Sequence, residues 1–247
     1  MILDYGRRLD RADNADYLPR NPFALLLGII FDQGTRANES WEAPKILKER
    51  LGTISPQKIA EMDLRKIKKV IRRSQSGKAL HRYVNKLPVW TREAARKVVG
   101  EYDGKTENIW KNIISAREIM ARLDGFLGIG QKKATMGTRI IKDEYGLKLK
   151  YWEDIDISVD VMIRRVFLRT DLVDHDDFEE VKEIARKLSP NFPGKLDYPT
   201  WVIGRNWCLQ SKPLCDGGYD EDTDKETEPC PLFKACPKYK RRKPVYQ

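Results

Sequence analysis

Apolar residues recur along most of this chain at three- and four-residue intervals, the spacing of one helix face, and alternation of apolar with polar positions is almost absent. The segment Asn21-Pro22-Phe23-Ala24-Leu25-Leu26-Leu27-Gly28-Ile29-Ile30-Phe31 is apolar on every side and begins with a proline at the first helical turn, so it predicts a helix buried all round. Mostly charged helices with one apolar face are predicted over Trp41–Leu51, Pro56–Arg73, Lys78–Tyr83, Arg92–Tyr102 and Glu107–Leu123, separated by turn signals at Gly52, Ser76-Gly77, Pro88 and Asp103-Gly104. The same spacing continues over Gln131–Tyr145, Val161–Leu168, Asp177–Leu188 and Tyr198–Cys208. Leu147–Val159 alternates for a few residues and reads as an extended linker. The expectation is an all-α protein without internal repeats.

Charge narrows the partner class. With 47 Lys and Arg against 37 Asp and Glu, the 247-residue chain carries +10, and its 40% hydrophobic content suffices for a sizeable core. The run Asp216–Glu228 holds seven acids against Lys225, a net of −6, so the rest of the chain carries +16. A body that basic favours a polyanion through counterion release, although abundant Lys, Arg and Glu also make a merely soluble surface. The acidic run reads as a solvated loop kept off such a partner, and Lys238–Lys243 reads either as a phosphate contact or as a solvated tail. No stretch approaches the roughly 18 apolar residues that span a bilayer, and Met1–Arg11 is too polar for a secretory signal. No membrane partner is expected, and the predicted location is cytoplasmic.

Four residue groups carry candidate chemistry. All four cysteines, Cys208, Cys215, Cys230 and Cys236, fall within 29 residues, with six, fourteen and five residues between successive members. In a reducing compartment such a group suggests a metal centre before disulfides. Zinc sites bring ligands in pairs two to four residues apart, and these spacings are wider, which favours a larger cluster held by four thiolates and leaves zinc as the alternative. Phe126-Leu127-Gly128-Ile129-Gly130-Gln131-Lys132-Lys133 is a Gly-x-Gly turn opening a helix, where backbone amides at the positive helix end can bind a phosphate. Lys132 stands in the first turn of that helix, where the helix end and adjacent Lys133 disfavour an ammonium ion and so favour a free amine. By position alone, a phosphate-contacting or merely exposed lysine is the better reading. Asp160 precedes a helical pattern and is either an N-cap or a working carboxylate, with Asp154 and Asp156 as nearby decoys.

These motifs resemble the endonuclease III-like DNA glycosylases. Gly204-Arg205-Asn206-Trp207-Cys208, Lys212-Pro213-Leu214-Cys215 and Cys230 through Cys236 are similar to the family's Cys-x6-Cys-x2-Cys-x5-Cys [4Fe–4S] loop, with the acidic run as a twelve-residue insertion in the middle spacing. Gly128-Ile129-Gly130 resembles its helix-hairpin-helix turn, Val159-Asp160-Val161-Met162-Ile163-Arg164-Arg165-Val166 its aspartate segment, and Gln33-Gly34-Thr35 its Gln-x-Thr turn. Met162 stands where the family often has histidine.

The resemblance implies a two-domain helix-hairpin-helix glycosylase. A six-helix barrel would span 21–153 with its hairpin near 125–134, and 1–20 with 154–247 would form an iron–sulfur cluster domain, the active-site cleft lying between them. It implies Lys132 as Schiff-base nucleophile with Lys133 as fallback, Asp160 as catalytic carboxylate, Gly128, Gly130 and Lys133 on DNA, and a [4Fe–4S] cofactor on the four cysteines. Gln33 would fill the gap left by an extruded nucleotide, and Gln75 would form a second wedge. The implied partner is double-stranded DNA containing a damaged or mismatched base, met by a monomer that excises oxidised pyrimidines and nicks the strand. Two alternatives stay open: a monofunctional uracil, thymine-mismatch or adenine glycosylase using water activated by Asp160, and a non-catalytic DNA-binding protein with a zinc cluster.

Overall fold

The computed structural model describes residues 17–34, 37–72, 79–220 and 225–237. Among them are ten α-helices, two 3-10 turns and one two-stranded antiparallel sheet, so the fold is all-α. The chain divides at Tyr151–Trp152 into two compact units. No described helix is long and apolar enough to cross a membrane.

The first unit is organised around α1 (Pro22–Phe31). Nine of its ten residues are buried, because α2 (Ala37–Leu51), α5 (Lys86–Glu101), α7 (Gln131–Glu144) and the 3-10 turn Thr106–Ile109 all pack on it. Close approach is set by small residues. A Cβ on Gly28 would stand 2.7 Å from the Trp41 ring of α2, and one on Gly137 of α7 would stand 2.9 Å from Ile29 Cδ1 of α1. Full burial of a Leu, Ile or Phe contributes about 1.5–3 kcal/mol, so the seven in α1 supply at most about 20 kcal/mol.

Two expected long helices are broken. Residues 56–72 fold as α3 (Pro56–Glu61) and α4 (Leu64–Arg72), because Met62 turns extended and the Asp63 carboxylate accepts the Arg65 backbone N–H at 2.8 Å, starting a new helix. Residues 107–123 fold as the 3-10 turn and then α6 (Ala116–Asp124), parted by Asn112 at φ +62° and restarted by the Ser115 N-cap, which accepts the Glu118 N–H. Residues 79–83, expected as helix, are irregular, and α5 begins six residues before Arg92. Pro88 is the third residue of α5, where its missing N–H costs no intrahelical bond.

In the second unit α8 (Val161–Arg169), α9 (Phe178–Leu188), α10 (Asp197–Asn206) and the 3-10 turn Pro193–Leu196 enclose a core of Ile157, Ile163, Phe167, Val173, Val181 and Ala185. The extended strap before α8 is tied to α9 by Arg186, whose Nε and Nη2 donate to the two Asp156 oxygens at 2.7 and 2.5 Å. The acidic run, expected as a loop, contains an antiparallel hairpin of β1 (Gly218–Asp220) and β2 (Lys225–Thr227). Its base is closed by Cys230 N–H donating to Cys215 O at 2.9 Å and Trp207 Nε1 donating to Glu228 O at 2.6 Å.

Candidate active site and cysteine pocket

The hairpin joins α6 to α7. Gly128 sits at φ +86°, and a Cβ there would lie 2.5 Å from a Trp90 ring carbon of α5, so both backbone and space demand glycine. Gly130 is different. As N-cap of α7 it has an extended backbone (φ −119°, ψ −179°), and a Cβ on it would meet nothing within 4 Å. What it supplies is a helix N-terminus with no side-chain cap, open to approach from outside. Lys132 follows as the second residue of α7 and is exposed.

Lys133 is half-buried and turned toward α1, with Nζ donating to the Ile30 carbonyl at 2.9 Å. Burial, opposed by the nearby Asp32 carboxylate, lowers its pKa from 10.5 to about 8. Gln33 occupies the turn after α1 and donates through Nε2 to the same Ile30 carbonyl at 2.9 Å. Gly34 follows at φ +62°, its carbonyl accepting Arg82 Nη1 at 3.2 Å. Gln33 and Lys133, 100 residues apart in sequence, thus converge on one acceptor. Gln75 lies outside the described residues.

In the other unit Asp160 is the N-cap of α8, its Oδ1 accepting the Met162 and Ile163 N–H groups at 2.9 Å each. The decoy Asp156 is engaged by Arg186 in the strap already described.

All four cysteines line a single pocket, with Val166, Ile203, Phe233 and Arg169 among its walls. Burial pushes the Cys215 and Cys230 thiols up, and neighbouring cysteines add to the effect. Two arginines of α8 fasten the first cysteine turn: Arg165 Nε donates to Cys208 O at 2.6 Å, and Arg169 donates to Leu209 O at 2.7 Å and Gln210 O at 2.9 Å. Arg169 Nη1 also lies 3.4 Å from Cys208 Sγ. Yet no three His, Cys, Asp or Glu side chains among the described residues are gathered tightly enough to hold one metal ion.

No family model matches the chain. Endonuclease III of Sulfolobus acidocaldarius is 24% identical over 201 residues, covering 80% of this chain and 78% of that protein. Clostridium acetobutylicum 8-oxoguanine glycosylase/lyase, solved in complex with double-stranded DNA containing cytosine opposite 8-oxoguanine, aligns with a TM-score of 0.51 at 14% identity, over 82% of this chain and 71% of that one. Over most of its length the chain is similar in sequence to an endonuclease III, and in fold to a DNA glycosylase/lyase.

The chain also holds residues at its sites that sequence reasoning passed over. His81, 3% exposed, meets the Phe31 carbonyl through Nε2 at 3.1 Å while Nδ1 accepts the Tyr83 N–H at 3.0 Å. That second bond makes Nδ1 the acceptor, so Nε2 carries the proton and donates to Phe31 O. Burial lowers the His81 pKa, and the ring stays neutral. The available signal was rarity, since the chain has two histidines. Arg165 and Arg169 were visible only as a helical i, i+4 pair; their role depends on a loop about 40 residues on.

Proposed function

We propose that this endonuclease III-like chain is a base-excision repair DNA glycosylase with AP lyase activity, acting on duplex DNA that contains a damaged or mismatched base. The carrying observation is the hairpin: an open glycine-capped helix start, packed on Trp90 at Gly128, with an exposed lysine as its second residue. An open helix N-terminus attracts a phosphate, and the +10 charge adds sequence-independent affinity. A base within the duplex is out of reach, so the nucleotide is everted, and Gln33 takes its place beside the orphaned base.

The Lys132 Nζ lone pair attacks C1′ as the C1′–N bond breaks, and the base departs with its bonding pair and gains a proton. The Asp160 carboxylate steadies positive charge on the sugar and receives a proton from the Lys132 amine. The nitrogen lone pair then expels O4′ from C1′, O4′ taking up a proton as the sugar ring opens, and the resulting protonated Schiff base acidifies the C2′ proton; its removal breaks the C3′–O bond, the phosphate leaving with the bonding pair, and nicks the strand on the 3′ side. In this reading 21–153 is the barrel domain and 1–20 with 154–247 the cluster domain, in a monomer located with the nucleoid. Oxidised pyrimidines are the proposed substrate.

Cys208, Cys215, Cys230 and Cys236 would hold a [4Fe–4S] cluster. Zinc with bonds of about 2.3 Å needs its sulfurs within about 4 Å of one another, whereas an iron–sulfur cubane is a wider body whose thiolates stand farther apart. Four cysteines on one pocket without a tight triplet fit the wider group. When bound, it would cross-link the cysteine turns and supply folding energy; no step of the reaction passes through it.

Borohydride trapping on a panel of single-lesion duplexes tests the proposal. The expected result is a covalent protein–DNA adduct that disappears in Lys132→Ala. An adduct lost only in Lys133→Ala moves the nucleophile by one residue, a reading that the lowered Lys133 pKa favours. Base release without any adduct removes the lyase step, and no release from any lesion removes catalysis.

A further inference from the structure

The last carbonyls of a helix have no partner inside it, and at the end of α1 they are met by side chains from three places. Ile30 O receives Gln33 Nε2 and Lys133 Nζ, both at 2.9 Å, and Phe31 O receives His81 Nε2 at 3.1 Å. Ile30 is wholly buried, so water cannot readily replace a lost donor. Gln33 therefore has a difficulty if it is to enter the duplex: it must release Ile30 O to free its amide. Lys133 removes that difficulty. Its ammonium is fixed from α7, is held near Asp32, and continues to bond the carbonyl after Gln33 departs. A cation at a helix C-terminus is also favourably placed against the helix dipole.

We propose that Lys133 is a positioning residue for Gln33, holding the Ile30 carbonyl so that Gln33 can release it and fill the gap left by an everted nucleotide. The proposal rests on the reading of Gln33 as the gap-filling residue. It gives the second lysine of the Lys132-Lys133 pair a task separate from nucleophilic attack.

A double-mutant cycle on the full-length chain tests it, with eversion read from the fluorescence of 2-aminopurine placed at the lesion position in a duplex. Gln33→Ala should lower the everted fraction. Lys133→Met, of similar length but without a donor, should lower it about 5- to 30-fold, the cost of a buried acceptor losing its remaining donor. In the Gln33→Ala background Lys133→Met should have no further effect, because no glutamine is left to deploy. Lys133→Arg should restore most of the loss. If Gln33→Ala leaves eversion unchanged, the gap-filling reading itself fails. If Gln33→Ala matters but Lys133→Met does nothing, or acts equally in both backgrounds, the gap-filling reading stands and Lys133 is only a helix-packing residue. Should Lys133→Met fail to fold, Lys133→Leu, also without a donor, goes through the same cycle under the same two criteria. A borohydride adduct kept in Lys132→Ala and lost in Lys133→Met would also overturn the proposal, by making Lys133 the nucleophile.

Discussion

Asp160 does two things in the proposed mechanism, and substitution separates them. Its Oδ1 caps α8 by accepting two backbone N–H groups at 2.9 Å, and its negative charge is assigned to the sugar cation. Asp160→Asn keeps an oxygen in the capping position and removes the charge. It should cost only the interaction of a carboxylate with the helix N-terminus, about 0.3–1 kcal/mol. Asp160→Ala loses the cap as well, about 1 kcal/mol more, within a range of about 0.5–2. For a chain of this size each kcal/mol lowers Tm by about 2–4 °C, so Asp160→Asn should melt within about 4 °C of the parent and Asp160→Ala a few degrees lower still. Excision should behave otherwise. Both variants should lose about 10²- to 10⁴-fold in single-turnover base release at saturating enzyme, because both lack the carboxylate. Thermal denaturation followed by circular dichroism gives one axis and gel-resolved strand scission after alkali the other. Rates that follow Tm, with Asp160→Asn within a few-fold of the parent, would refute the catalytic assignment and leave Asp160 as a cap.

Two further outcomes follow from the same geometry. Lys133 has a pKa of about 8 in the folded chain against 10.5 as its ordinary value, so between these pH values the unfolded chain binds a proton the folded one has lost. Stability should therefore rise with pH across that window, by at most about 3 kcal/mol, relative to Lys133→Met. The comparison with Lys133→Met matters because the half-buried Tyr145 hydroxyl, whose pKa is raised by burial, pulls stability the opposite way above pH 10. Urea denaturation at pH 7.5 and 10.5 measures the difference, and a difference between parent and variant that does not change with pH sinks the account. Protein purified without air should be brown and contain about four irons per chain, falling sharply in Cys208→Ser; colourless protein with one zinc would contradict the cluster assignment.

Local sequence chemistry determined a good deal about this protein. Helical spacing made it all-α, the apolar run from Pro22 to Phe31 announced the central helix, and the glycines of 128–130 announced the hairpin. The N-cap role of Asp160 was also visible, because a cap bonds residues two and three places away. These features need only neighbours in the chain. Tertiary structure decided the rest. Periodicity continued through Met62 and Asn112, where the chain turns, because apolar spacing persists across a break whose cause is a capping bond or a positive φ. Fourteen residues between Cys215 and Cys230 looked like a wide separation until the hairpin brought the two together. Lys132 and its fallback Lys133 are adjacent in sequence, yet one is exposed and the other is half-buried against Ile30, 103 residues away. Which lysine loses its solvent, and so which pKa falls, depends on the helix packed beside it, and no local pattern encodes that neighbour.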